Sequence, residues 1–231
     1  MEETAADDAA ALGEAANGGL RASDGRVPGR RGRATRQRLL ERTADMLRTT
    51  TYRDLKVIDI AREAGTSPAT FYQYFADVEA AILVLAEDMA VDAEKLVRIV
   101  ADGTWKGKAG WRTALHLCDG FVDFWDQHRP VLRVVELTTT EGDRRFRTIR
   151  VRLLNAVTVE LAKVTEAMQA EGRNTGVDAM ANAGVVVTLL ANVAAHQTGF
   201  EAWGMPVNDV RTALARHVYW GVTGQKPPNA D

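Results

Sequence analysis

The chain has 231 residues, of which 46% are hydrophobic, enough for one medium domain or for a small domain with a larger one. A single cysteine, Cys118, excludes an internal disulfide and fits a reducing compartment. No N-terminal stretch has a basic start followed by an apolar run, so we expect no signal peptide. The net charge of −2 hides an uneven distribution, because acidic positions within 1–24 precede arginines between Arg26 and Arg38.

Residues 1–30 are predicted to be a disordered arm, because they are rich in Ala, Gly, Asp and Glu and lack periodic large apolar residues. A marginal Ala-rich helix between Ala5 and Ala16 is an alternative. The arginines from Arg26 to Arg33 are either a solvated tail or, as we favour, neighbours of DNA phosphates or of a minor groove.

The next stretch predicts three short helices. The first begins near Thr35 as its N-cap and ends near Arg48, followed by a connection of low helix propensity. The second ends at Gly65, which adopts a left-handed conformation without steric cost. The third begins with the N-cap Ser67 and with a proline at its first position. Its buried face carries two phenylalanines one turn apart, so the pattern is typical of a helix-turn-helix.

The rest of the chain is predicted to be helical as well. Asp77 caps a long fourth helix that reaches about Val100 and links two domains. Further helices are expected over about 111–129, from Pro130 to about 137, and over about 145–171, 178–203 and 206–222. Strand-like alternation is absent, so the predicted fold class is all-α with about nine helices.

Residues 57–75 read VIDIAREAGTSPATFYQYF and closely follow the pattern D-I-A-x-x-A-G-V-S-x-x-T-L-Y-x-H-F. Over residues 33–85 the chain therefore resembles the TetR family of bacterial transcriptional regulators. Residues 111–133 have a second, more limited resemblance to the mycobacterial ethionamide-resistance regulator of that family. The resemblance implies a helix-turn-helix domain over 31–76, a larger ligand-binding and dimerisation domain over 77–224, and a tail over 225–231.

The resemblance also implies which side chains contact double-stranded DNA. Apolar and amide groups on the third helix would face base edges, while hydroxyl groups and basic side chains would contact phosphates. The predicted DNA-binding residues are Arg33, Arg36, Lys56, Ser67, Pro68, Ala69, Thr70, Tyr72, Gln73 and Tyr74. The chain departs from the family pattern at Val78, where a lysine is usual, and at Lys56, where a threonine or serine is usual.

The resemblance implies a ligand pocket in the C-terminal domain, and an apolar slot with a few polar anchors suits a hydrophobic or amphipathic small molecule. The predicted lining is Trp111, Leu115, Phe121, Trp125, Leu154, Leu189 and Asn192. Glu136 and His196 are further polar candidates. Aromatics at this spacing are also typical of an ordinary core, and Glu136 also fits a solvated surface position.

The last two long helices are implied to form a four-helix bundle with a second copy of the chain. Residues 179–195 are nearly all small or apolar, which indicates a helix covered on more than one side rather than a membrane span, because Asn182, Thr188 and Asn192 interrupt it. The predicted interface residues are Val187, Ala191, Ala194, Leu214 and Val218. A two-fold dimer would present two reading helices to a palindromic site.

These features predict a cytoplasmic, nucleoid-associated DNA-binding regulator without cofactor, metal site or membrane partner. The resemblance to the family implies that it is a repressor released by its effector. An enzyme built on Cys118 with His116, or on His196 with Glu201, is disfavoured because no phosphate loop, nucleophile elbow or metal pair accompanies them. The alternative that remains is an architectural or activating DNA-binding protein without an effector.

Overall fold

A computed structural model describes residues 29–228. In this range the chain forms ten α-helices and a 3₁₀ turn at Tyr52–Asp54, with no strand, which confirms the all-α class. The helices are α1 Arg30–Met46, α2 Val57–Glu63, α3 Pro68–Tyr74, α4 Val78–Asp92, α5 Glu94–Ala101, α6 Gly107–Thr140, α7 Arg144–Ala170, α8 Ala179–Ala195, α9 Gln197–Ala202 and α10 Val207–Thr223. The predicted arm, except for its last two residues, and the last three residues of the tail lie outside the described range.

The chain divides into two compact units between Asp88 and Met89, inside α4. In the N-terminal unit, α1, α2 and α3 pack against one another. Their shared core is fully buried and includes Leu39, Ile60 and Phe71. Burial of such large apolar side chains is the main force that holds three helices this short together, since helices of this length are unstable alone.

The connection between α2 and α3 is a Schellman turn at Gly65, whose φ is +65°. The N–H of Thr66 donates to the carbonyl of Ala61 at 2.9 Å, and the N–H of Gly65 donates to that of Arg62 at 3.0 Å. Both bonds satisfy carbonyls at the end of α2 that have no helical partner. The turn therefore stops α2 abruptly and lets α3 begin at Pro68.

In the C-terminal unit, the long helices α6, α7, α8 and α10 all contact one another, and α5 packs against α6 and α7. The core of this unit is apolar, with Leu117, Phe121, Leu161, Leu190 and Tyr219 almost completely buried. None of the helices in residues 29–228 is long and apolar enough to cross a membrane.

The first helix begins earlier than predicted, at Arg30, and Thr35 lies inside it rather than at its N-cap. The Thr35 hydroxyl donates back to the carbonyl of Arg31 at 3.1 Å, as hydroxyls inside helices do. The arginines that follow position 29 are therefore helical, not part of a flexible arm. The first turn of α1 contains no acidic residue.

Two long predicted helices are each divided in the structure. The predicted helix from Asp77 to Val100 is interrupted at Ala93, where the N–H of Leu96 bonds to the Ala93 carbonyl in an i→i+3 turn. The predicted helix over 178–203 is interrupted at His196, whose backbone (φ −111°, ψ 23°) departs from helical geometry. Neither break contains a glycine or a proline, so no local sequence signal marked them.

The opposite correction applies to Pro130, which was predicted to begin a new helix. Instead α6 continues from Gly107 to Thr140 with Pro130 inside it. Pro130 lacks the N–H for one i→i−4 hydrogen bond, but the helix continues on both sides of it.

Candidate nucleic-acid interface and ligand pocket

The third helix presents one buried face and one exposed face. Phe71 and Phe75 are buried, with ring centroids 5.4 Å apart, and they fix α3 to the core of the N-terminal unit. The opposite side carries the predicted DNA-contacting residues. Ser67, Pro68, Ala69, Tyr72 and Gln73 are exposed, while Thr70 and Tyr74 are half-buried.

The N-terminus of α3 is closed by a local hydrogen-bond pair. The Ser67 hydroxyl oxygen accepts from the Thr70 N–H at 3.2 Å and lies 3.0 Å from the Thr70 hydroxyl oxygen. This confirms Ser67 as the N-cap and orders the turn that enters the helix. The Thr70 hydroxyl therefore already has a hydrogen-bond partner within the protein, the Ser67 hydroxyl.

Tyr72 is the most prominent aromatic group of this surface, with 53% of its area exposed. Its ring stands edge-on to Phe71, at 5.9 Å and 86°, so the buried phenylalanine restricts the orientation of the exposed tyrosine. Exposed aromatic and hydroxyl groups on a short rigid helix suit apolar contacts to thymine methyls and hydrogen bonds to phosphates.

The other two helices of the N-terminal unit carry exposed basic groups. Lys56 is exposed at the N-cap position of α2, and Arg30, Arg31 and Arg33 are exposed in the first turn of α1. Three cations at a helix N-terminus oppose the positive end of the helix dipole, which is favourable only when anions lie nearby. Sequence reasoning placed Arg30 in the arm and Arg31 and Arg33 before the first helix, because the N-cap signal at Thr35 pointed to a later helix start.

Arg36 is placed differently from its prediction as a phosphate contact. Its guanidinium lies over the Phe75 ring, 5.2 Å from the centroid, and its Nε is buried without an acceptor in the described part of the chain. Burial lowers the pKa of this guanidinium, and the charge of Asp88 opposes that shift. Arg36 therefore supports the phenylalanine behind α3.

The predicted ligand-binding residues lie in different environments. Phe121 and Trp125 are buried in the core, Trp111 packs edge-on against Tyr219 at 6.2 Å, and Asn192 is exposed. The Asn192 amide donates to the Thr188 carbonyl one turn before it. The three leucines Leu115, Leu154 and Leu189 are half-buried. Of the two further polar candidates, the His196 ring bonds to the Asn192 carbonyl and Glu136 is half-buried.

A small cavity of about 60 Å³ lies instead between α6, α8, α9 and α10. None of the seven predicted lining residues borders it. Its apolar walls include Val122, Val193, Phe200, Val210 and Leu214, and its polar groups include Cys118, Asp119 and Arg211. Asp119 and Arg211 form a two-bonded ion pair. The pair joins positions 92 residues apart, so no local pattern could have revealed it.

The five predicted interface residues, Val187, Ala191, Ala194, Leu214 and Val218, are all buried within the chain itself. They pack α8 and α10 into the core, and Leu214 also borders the cavity. The exposed apolar side chains of α8 and α10 are different ones. Val185, on α8, is 69% exposed, and Trp220, on α10, is 62% exposed. Periodicity identified two helices that are apolar on several sides. The five residues selected as the outer face lie on the buried face instead.

The groups considered for catalysis are separated. Cys118 is buried, and burial raises the pKa of its thiol to about 12, whereas His116 is exposed two positions away on the same helix. The Cys118 thiol therefore remains protonated near neutral pH and is a poor nucleophile. Residues 29–228 contain no group of three or more His, Cys, Asp or Glu side chains able to hold a metal ion.

Two family models match the chain. One, described as bacterial regulatory proteins of the tetR family, matches residues 39–80, and the other, described as the tetracyclin repressor-like C-terminal domain, matches residues 96–229. The chain belongs to the TetR family. TetR-family proteins are DNA-binding transcriptional regulators with a ligand-binding domain and are not enzymes, in agreement with the sequence-based prediction.

Solved structures share this fold over nearly their whole length. The fatty acid degradation regulator FadR from Bacillus halodurans is 13% identical with a TM-score of 0.62, over 84% of this chain and 97% of that one. A Rhodococcus protein of unknown function is 25% identical with a TM-score of 0.62, over 82% and 95%. FadR from Bacillus subtilis, in complex with stearoyl-CoA, is 14% identical with a TM-score of 0.60, over 80% and 98%.

Proposed function

We propose that this TetR-family regulator is a repressor that binds a palindromic operator as a homodimer and leaves it when a small molecule binds. The exposed face of α3, with Tyr72 at its centre and two phenylalanines behind it, is the observation that carries the proposal. A dimer would hold two such helices about 34–36 Å apart, one turn of DNA, and thus read two half-sites. Such a protein works in the cytoplasm, at the nucleoid.

The proposed control passes through α4. This helix begins shortly after Phe75 and continues across the division between the two units, so it is shared by the reading domain and the ligand domain. A ligand changes the spacing of the reading helices only if it binds one arrangement of α4 more tightly than the other. FadR from Bacillus subtilis was solved with stearoyl-CoA, which supports a hydrophobic or amphipathic effector for the present chain.

Genome-wide footprinting, followed by gel shift on the sites found, tests the DNA-binding part. Tyr72→Ala is expected to weaken operator binding roughly 10-fold or more, because it removes the exposed ring and its hydroxyl. Thr70→Ala is expected to lose binding too, although it also removes the hydroxyl contact with Ser67. Thr70→Ser retains that hydroxyl and should recover most of the affinity.

Tyr52→Phe, on the 3₁₀ turn outside α3, is the matched control and should bind the operator normally. Circular dichroism and thermal unfolding would show that each variant is folded. Normal operator affinity in both Tyr72→Ala and Thr70→Ala would remove α3 as the reading helix. A protein that binds DNA but is stabilised by no small molecule in a thermal-shift screen would favour the architectural or activating alternative.

A further inference from the structure

The cavity between α6, α8, α9 and α10 has a polar mouth and an apolar base. Cys118 and Leu214 are buried, whereas Asp119 and Arg211 are partly exposed, so the ion pair lies at the outer end. A volume of about 60 Å³ holds a few water molecules but not a drug-sized ligand. Arg211 forms a partly exposed part of the wall, so its movement away from Asp119 would widen the opening for a larger molecule.

The surroundings of Arg211 offer it a second partner. Asp123 lies one helical turn beyond Asp119 on α6, on the same face of the helix, and is exposed. The hydrogen bonds that Arg211 donates to Asp119 raise the pKa of Arg211, and the charge of Asp123 adds to this effect. Asp123 is therefore the second carboxylate whose charge acts on the guanidinium if Asp119 binds another cation.

This arrangement discriminates between ligand charges. A cationic head group that binds Asp119 releases Arg211 to Asp123, and every charge keeps a partner. An anionic head group that binds Arg211 leaves Asp119 without its cation and brings a new negative charge close to Asp119 and Asp123, which is unfavourable at a partly desolvated site.

The mouth also offers an aromatic surface for a cation. Phe200 borders the cavity and is held edge-on by Trp203, with ring centroids 5.9 Å apart at 90°. The face of an aromatic ring attracts an alkylammonium group. The buried Cys118 thiol adds no charge at the base, because burial raises its pKa to about 12. The base is therefore suited to a hydrocarbon chain.

We infer that this cavity binds a cationic amphiphile, with its ammonium group at Asp119 beside Phe200 and its apolar body among Val122, Val193, Val210 and Leu214. The inference rests on the proposed ligand-responsive function, since it names the chemical class of the effector. Displacement of Arg211 from Asp119 removes this ion pair between α10 and α6, so occupancy of the site changes one of the links between two core helices of the ligand domain.

Three probes with the same eight-carbon tail test the inference on the full chain. These are octyltrimethylammonium, octanoate and octan-1-ol, used below micellar concentrations and measured by isothermal titration calorimetry without DNA. The ammonium compound is expected to bind at least 10-fold more tightly than the other two. It should also raise the melting temperature in proportion to the logarithm of its concentration.

Two substitutions of the ion pair have opposite expected effects. Asp119→Asn should weaken ammonium binding about 10-fold or more, because the head group loses its carboxylate. Arg211→Gln should strengthen it, because no guanidinium then competes for Asp119. Asp123→Asn should weaken binding, since the displaced arginine loses its second partner. Glu94→Gln, which removes an exposed paired carboxylate on α5, is the control and should leave binding unchanged.

Loss of the ion pair alone would change ammonium binding in the same direction in Asp119→Asn and Arg211→Gln. Opposite changes in affinity therefore distinguish the proposed site from simple damage to the fold. Tighter binding of octanoate, abolished by Arg211→Gln, would overturn the inference, as would equal binding of octan-1-ol or an unaffected Asp119→Asn. Gel shift of the ligand-free protein tests the proposed function separately. Operator binding without ammonium binding would refute only the ligand class, while ammonium binding without operator binding would refute only the repressor.

Discussion

At the scale of single residues, Arg33 and Arg36 show how neighbouring positions of one type acquire different roles. Both lie on α1 and both were predicted to contact phosphates. Arg33 is exposed in the first turn, whereas Arg36 lies over the Phe75 ring with its Nε buried. Their spacing of three places them on adjacent parts of the helix surface, but only one of these parts faces the core.

We therefore expect Arg33→Ala and Arg36→Ala to differ in the salt dependence of operator binding. Arg33→Ala should lower the slope of log K against log salt by about 1.8, the value for two lost phosphate contacts, one in each protomer of the dimer. Arg36→Ala should weaken binding with little change in slope, because it removes a support of α3 and not a phosphate contact. Fluorescence anisotropy on a labelled operator at several salt concentrations measures both slopes. An equal fall in slope for Arg36→Ala would place its guanidinium on DNA.

At the scale of helices, the features that were predictable are those encoded by a few adjacent residues. Ser67 caps α3 and Asp77 caps α4, the latter accepting from the Ala80 N–H at 2.7 Å, both as predicted. Helix breaks that depend on distant packing, at Ala93 and His196, carried no local signal. The ion pair of Asp119 with Arg211 was equally hidden, because two distant helices must pack before the two charges meet.

The Schellman turn at Gly65 is a local feature with a measurable energetic consequence. Gly65→Ala should lower the free energy of unfolding by about 1 kcal/mol, because the φ of +65° places a β-carbon in an unfavourable left-handed conformation. Gly65→Asn should cost less, since asparagine tolerates this conformation better. No atom lies within 4 Å of a β-carbon built at Gly65, so the loss reflects backbone conformation and not a clash. Chemical denaturation followed by circular dichroism compares the three proteins; equal stability of all three would refute the argument.

At the scale of the whole molecule, the burial of the predicted interface residues moves the proposed dimer contact to the outer faces of α8 and α10. The two faces carry exposed apolar groups, Val185 and Trp220, alongside the exposed Thr188, Asn192 and Arg216. Exposed aromatic groups surrounded by polar residues are typical of protein interfaces. Homodimers are usual in the TetR family, and two-fold symmetry would bring each face against its own copy.

Val185→Lys and Trp220→Ser are therefore expected to convert the protein into monomers at micromolar concentration, as measured by sedimentation velocity. A lysine at position 185 would lie either opposite the same lysine of the second protomer, where the two charges repel, or among apolar groups, where its charge is desolvated. Val91→Lys is the control, because Val91 is similarly exposed but lies on α4. The monomers should retain the helical content of the native chain and yet bind a palindromic operator weakly, since each carries a single reading helix. If both variants sediment as dimers while Val91→Lys does not, the contact lies on another face, and the spacing of the reading helices must be derived from that face instead.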